Sequence, residues 1–109
     1  MRVCVASEEG IVSQHFGHAS GFVVYEVENG KLEYKETLAN PGHQPGVIPV
    51  FLKDNNIKVI IAGGMGSRAQ ELFQENGIEV FVGVEGKSED LIKSYALGKL
   101  VSTGASCGH

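Results

Sequence analysis

Short apolar runs and amphipathic stretches take turns along the chain. Arg2-Val-Cys-Val-Ala6 is a β-branched apolar run and reads as a first strand, and Phe22-Val-Val-Tyr-Glu-Val27 reads as a second. Asn29-Gly30 between strands is a type I′ hairpin signal. Beyond it, Leu32 and Tyr34 alternate with Glu33 and Lys35, which marks a third strand with one wet face. Val47, Ile48, Phe51 and Leu52 then share one face of a short helix, where Pro49 is tolerable only in the first turn. Lys58-Val-Ile-Ile-Ala62 is a strand apolar enough to be covered on both faces. Ser67-Arg-Ala-Gln70 reads as a capping box for a second helix, with Ala69, Leu72 and Phe73 inward and Gly77 as its stop. Ile78 to Val84 is a fifth strand. Ser88-Glu-Asp opens a third helix, with Leu91, Ile92, Tyr95 and Ala96 inward and Gly98 at its end.

Three strands followed by alternating helices and strands predict an α/β protein. The expected form is a three-layer α/β/α sandwich around a five-stranded mixed sheet with one antiparallel strand. Residues 1–99 form the expected single domain and residues 100–109 a flexible tail. If the first strand runs up, the third, fourth and fifth run up as well. The loop with His15 and His18, the loop with His43 and the Gly63-Gly-Met-Gly66 turn then leave from one rim, where open α/β sheets take ligands.

Composition narrows the function. A chain of 109 residues suits one domain with its own core. A net charge of −4 argues against binding a nucleic-acid backbone or an anionic membrane surface. No run of about 20 apolar residues is present to span a bilayer. The amino terminus reads as a strand and not as a signal peptide, and the only cysteines are Cys4 and Cys107, so a reducing cytoplasm is expected. The 15 glycines are about twice the usual share. Their clustering in expected loops suits a rim where backbone comes close to something bound.

Few residues offer chemistry. His15 and His18 flank Phe16 and Gly17, and imidazole ligates transition metals and iron–sulfur clusters. The same spacing equally fits a loop in which one histidine caps a backbone group and the other faces water. His43, in Asn40-Pro-Gly-His, taken alone is more often a solvated loop residue. Cys107-Gly-His109 resembles half of a metal site, and equally a frayed terminus. It follows a helix running away from the rim, though eleven extended residues span about 35 Å. Cys4, between Val3 and Val5, is expected to pack in the core. Gly63-Gly-Met-Gly66 precedes a helix N-terminus, where backbone N–H groups accept anions. It is neither a P-loop nor a dinucleotide fingerprint, since Ala69 stands where the last glycine would fall. Met65 there offers a soft thioether or merely packs. Ser7, Ser13 and Ser20 have no triad neighbours, and Glu8 and Glu9 are expected to be solvated, so no catalysis is expected.

His15-Phe-Gly-His-Ala19, the Phe-Val-Val-Tyr strand, Asn40-Pro-Gly, Val59-Ile-Ile-Ala-Gly-Gly-Met-Gly66 and Gly77-Ile-Glu-Val together resemble the dinitrogenase iron–molybdenum cofactor biosynthesis family, over residues 1 to about 100. The resemblance implies a ribonuclease-H-like fold without nuclease activity, because Cys4 and Ile60 occupy strand centres where a two-metal nuclease needs carboxylates. It further implies a carrier or scaffold, related to nitrogen fixation, for an iron–sulfur or iron–molybdenum type cluster or its precursor, working with assembly or acceptor proteins. On that reading His15, Phe16, Gly17, His18, Gly63, Gly64, Met65 and Gly66 contact the cargo. His15, His18, His43, Cys107 and His109 are the candidate metal donors. A regulatory module binding an anion or nucleotide at the Gly63–Gly66 turn, and an interaction subunit without cargo, are the alternatives.

Overall fold

The computed structural model describes residues 1–42 and 46–102. Its strands are β1 (Arg2–Glu8), β2 (Ile11–Val12), β3 (Gly21–Glu28), β4 (Lys31–Ala39), β5 (Ile57–Ile61) and β6 (Glu79–Phe81). Its helices are α1 (Val47–Asp54), α2 (Ser67–Glu75) and α3 (Ser88–Ala96). The sheet order is β4-β3-β1-β5-β6, with β2 paired to β1. β1 pairs in parallel with β5 and β5 with β6, while β3 runs antiparallel to both β1 and β4. β1, β4, β5 and β6 therefore end on one rim, as the order of elements predicts.

The central strand explains the layering. Successive side chains of β1 point to opposite faces, and both faces are apolar. Cys4 and Ala6 join Ile48 and Leu52 of α1 and Phe73 of α2. Val3 and Val5 join Leu91 and Ile92 of α3 on the other face. Two helices thus cover one side of the sheet and one covers the other. No described helix is long and apolar enough to cross a membrane.

Four details differ from the sequence expectation. The sheet has six strands, not five, because the chain after β1 folds back at Glu9-Gly10 and pairs Ile11 and Val12 with Glu8 and Ser7. Glu9 and Gly10 both take positive φ, 51° and 82°, as do Asn29 and Gly30 at 53° and 78°. A glutamate rarely adopts that conformation, so only the Asn-Gly hairpin announces itself. The last strand stops at Phe81 rather than Val84. The N-cap of α2 is Gly66, one residue before the expected Ser67, and the Gln70 amide donates to the Met65 carbonyl at 3.0 Å. Lastly, the chain stays attached past residue 99. Leu100 packs on the α3-side core, and the Ser102 hydroxyl accepts from Val82 N at 3.1 Å and donates to Val82 O at 3.4 Å.

That last contact also caps one sheet edge. At the other edge, the nine-residue β4 has no second strand partner among the described residues. Val24 pairs with Glu36 and Tyr25 with Tyr34, which leaves Lys35 as an inserted bulge residue.

Phe73 is wholly buried between α2 and the sheet, whereas Val50 of α1 is 48% exposed. Phe73→Ala is expected to cost about 3–5 kcal/mol in urea unfolding, and Val50→Ala under about 0.5 kcal/mol.

Candidate functional site

The rim loop after β1 is built outward from the backbone. Ser13 N donates to Ala6 O at 2.8 Å, which folds the chain back over the end of β1. Ser13 O then accepts from Gly63 N, at the end of β5, at 2.8 Å. A Cβ on Gly63 would lie 2.8 Å from Ser13 O and 2.6 Å from Gln14 Nε2. Only glycine lets the loop settle this close. Gly63 is therefore buried beneath the loop and acts as a spacer. It does not line the hollow that its three successors share with the histidines.

The next residues form a 3₁₀ turn, Phe16–His18. Phe16 is its anchor: its N–H donates to Gly64 O at 3.3 Å, and its ring meets Phe73 edge-on at 5.5 Å between centroids. His15 and His18 flank it, exposed, with ring centroids 6.1 Å apart and planes at 81°. Ser13 holds the first, its hydroxyl donating to His15 O at 2.7 Å and accepting from His15 N at 3.3 Å. Asn40, just past β4, donates from Nδ2 to Gly17 O at 3.1 Å and Ala19 O at 2.8 Å.

His15, Phe16, Gly17 and His18 enclose a hollow of about 260 Å³ with Gly64, Met65 and Gly66. Of the groups expected on one rim, His15 and His18 thus meet Gly64, Met65 and Gly66. Met65 is almost wholly buried, packed in the core as well as walling the hollow. The α2 N-terminus opens beside it, so the partial positive charge of a helix start faces the imidazoles. On the far side of the two histidines lies a hollow of about 500 Å³, which includes Glu8, Glu9, Ser13 and Gln14. A larger hollow, about 700 Å³, is elsewhere, among Ser7, Tyr25, Thr37 and Ser88 on the α3 side, and holds none of the expected residues.

Other candidates separate from this group. Cys4 is fully buried, and burial pushes its thiol far above the ordinary range, so it serves the core as expected. His43, Cys107 and His109 lie outside the described residues. The chain leading to the latter two starts closer to the site than the direction of α3 implies. Ser102 is bonded to Val82, and the adjacent Gly83 N donates to Gly63 O at 2.9 Å. Among the described residues no three His, Cys, Asp or Glu side chains form a metal-ion cage. The residues that sequence reasoning passes over are Ser13 and Asn40. Both act on backbone atoms, Ser13 on His15 two residues along and Asn40 on a turn 21 and 23 residues away, and Asn40 shows in the sequence only as a loop signal and part of the Asn40-Pro-Gly motif.

Comparison with known proteins follows from this geometry. The model of the family described as dinitrogenase iron-molybdenum cofactor matches residues 1–98. An uncharacterized protein of Methanocaldococcus jannaschii, MJ0580, is 29% identical over 105 residues, covering 92% of this chain and 89% of its own. The crystal structure of PH0822 superposes with a TM-score of 0.86 at 36% identity, over 95% of this chain and 96% of that one. The apo form of the orange protein from Desulfovibrio gigas does so with a TM-score of 0.78 at 25% identity, over 95% and 93%.

Gly63→Ala must displace a backbone carbonyl and is expected to cost about 1–3 kcal/mol and to move the ring resonances of both histidines. Gly66→Ala, with nothing within 4 Å of the new methyl, is expected to cost under about 1 kcal/mol and to leave the rings in place. Cys4 is expected to resist alkylation at pH 8 until the protein is unfolded, as peptide mass mapping can read, since only the thiolate reacts.

Proposed function

The chain belongs to the dinitrogenase iron-molybdenum cofactor family, and from that premise we propose that it is a non-catalytic carrier or scaffold. Its cargo is an iron–sulfur or iron–molybdenum type cluster, or a precursor of one. The observation that carries the reading is the shared hollow of His15 and His18 with the Gly64–Gly66 backbone.

The chemistry of that hollow suits such a cargo. Two imidazoles offer nitrogen donors to iron or another transition metal. The adjoining helix start favours the negative charge of sulfide-rich clusters. At about 260 Å³ the space is below the roughly 300–1,000 Å³ typical of organic-ligand pockets. A compact inorganic group fits it better than a nucleotide. Two neighbouring donors bind one edge of a preformed cluster and leave its other metal positions for its own ligands. That favours handing the cargo on to an acceptor or assembly protein over holding it permanently. His43, Cys107 and His109 are proposed as further donors to the same cargo. Seven residues follow Ser102, and such a length spans about 23 Å when extended.

The test is anaerobic mixing with ferrous iron and sulfide, with and without tetrathiomolybdate, followed by gel filtration, metal analysis and visible spectroscopy. The native protein is expected to retain a charge-transfer band. His15→Ala and His18→Ala are each expected to weaken retention at least about tenfold, since even outer partners of metal ligands are worth roughly 10- to 100-fold. Retention unchanged in both variants overturns the site. A thermal shift with molybdate or nucleotide alone, insensitive to both substitutions, would favour an anion-binding module instead.

A further inference from the structure

The geometry points to Asn40 as the positioning residue for His18, acting through the backbone on either side of that histidine. This rests on the cargo reading above and deepens it, by naming what fixes the second donor. Asn40 lies just past β4, on the far side of the histidine turn from α2. Its Nδ2 reaches Gly17 O at 3.1 Å and Ala19 O at 2.8 Å, the residues immediately before and after His18. Its Oδ1 accepts from Gly42 N at 2.8 Å, and its own N–H reaches Ser20 O at 3.4 Å. A 3₁₀ turn this short leaves carbonyls at its exit without helical donors. The Asn40 amide fills that need with both of its N–H bonds.

The two histidines are held differently, although the turn itself joins them, since His18 N donates to His15 O at 2.9 Å. His15 is held by the Ser13 hydroxyl through its own N–H and carbonyl. Phe16 is held by Gly64 and Phe73. The far half of the turn, which carries His18, is held by Asn40. Loss of the Asn40 donors should disturb His18 more than His15, which keeps its Ser13 bonds, a gradient that general loosening of the rim would not give.

The residue type matters. Asn40→Asp keeps the shape and the acceptor for Gly42 N. It loses both donations and sets carboxylate oxygen against two carbonyl oxygens. It thus separates the clamp on the histidine turn from the bend of the loop after β4, whereas Asn40→Ala removes both.

The experiment uses the full chain and a cluster reconstituted from ferrous iron and sulfide. Retention is measured for Asn40→Asp and Asn40→Ala, each with His18 present and with His18→Ala, and histidine ring resonances are recorded without cargo. With His18 present, both substitutions are expected to weaken retention about 10- to 100-fold. In the His18→Ala background the loss should shrink to under about twofold, since a residue acting through His18 has nothing left to position. Without cargo, the His18 ring resonances should shift and broaden well beyond those of His15, whose ring lies 6.1 Å away and senses the movement only at second hand. Equal losses in both backgrounds, no loss in either, or His15 resonances moving as far as those of His18 would overturn the assignment. If the native protein retains no cluster, the cargo reading fails. The ring resonances then decide on Asn40 alone, and an unmoved His18 rejects it.

Discussion

Everything at the rim depends on the closeness of two backbones, the loop after β2 and the end of β5. Gly63 N meets Ser13 O at 2.8 Å, and no side-chain carbon fits between them. From that contact the Ser13 hydroxyl sets His15, and Gly64 O and Phe73 set Phe16. The histidine pair is placed by main-chain geometry more than by packing of the rings themselves. A turn fixed at several points has surrendered its conformational entropy during folding. Little remains to be lost when a ligand arrives, which is the physical meaning of a preorganised site.

The sheet supplies the second requirement. β1 and β5 are neighbours running in the same direction, so their exit loops emerge side by side. β4 runs the same way from the other side of β3, which brings Asn40 to the same rim. Parallel strands need long crossovers, and the crossovers here place α1 and α2 on one face. Phe73 of α2 then supports the sheet core and the Phe16 anchor at once. Stability and site geometry share that residue.

Much of this was legible in the sequence. Strand direction follows from counting elements, and it places the loop with His15 and His18, the loop with His43 and the Gly63–Gly66 turn on one rim, of which His15, His18 and Gly64–Gly66 share a hollow and His43 lies outside the described residues. The helix stops at Gly77 and Gly98 were readable because a positive φ, 74° at each, suits glycine. What escaped reading was tertiary. The Glu9-Gly10 bend has an unusual residue in a left-handed conformation. Gly63 was read as a residue at the cargo because an approach by another segment leaves no local signature. Asn40 looked like a turn former, and its two donations to Gly17 and Ala19 bridge 21 or more positions of sequence. The start of α2 is instructive in the other direction. A fitting local motif, Ser67 to Gln70, places the N-cap one residue late, since the preceding glycine takes it.

The bulge at Lys35 has a bearing on how the molecule behaves in company. An edge strand of nine residues would otherwise invite a second chain to add a strand, and then a third. An extra residue breaks the even spacing of hydrogen-bonding groups that such stacking needs, and here it carries an ammonium group. At the opposite edge β6 is short, and Ser102 bonds Val82 just beyond its end. Both features discourage a neighbouring chain from extending the sheet.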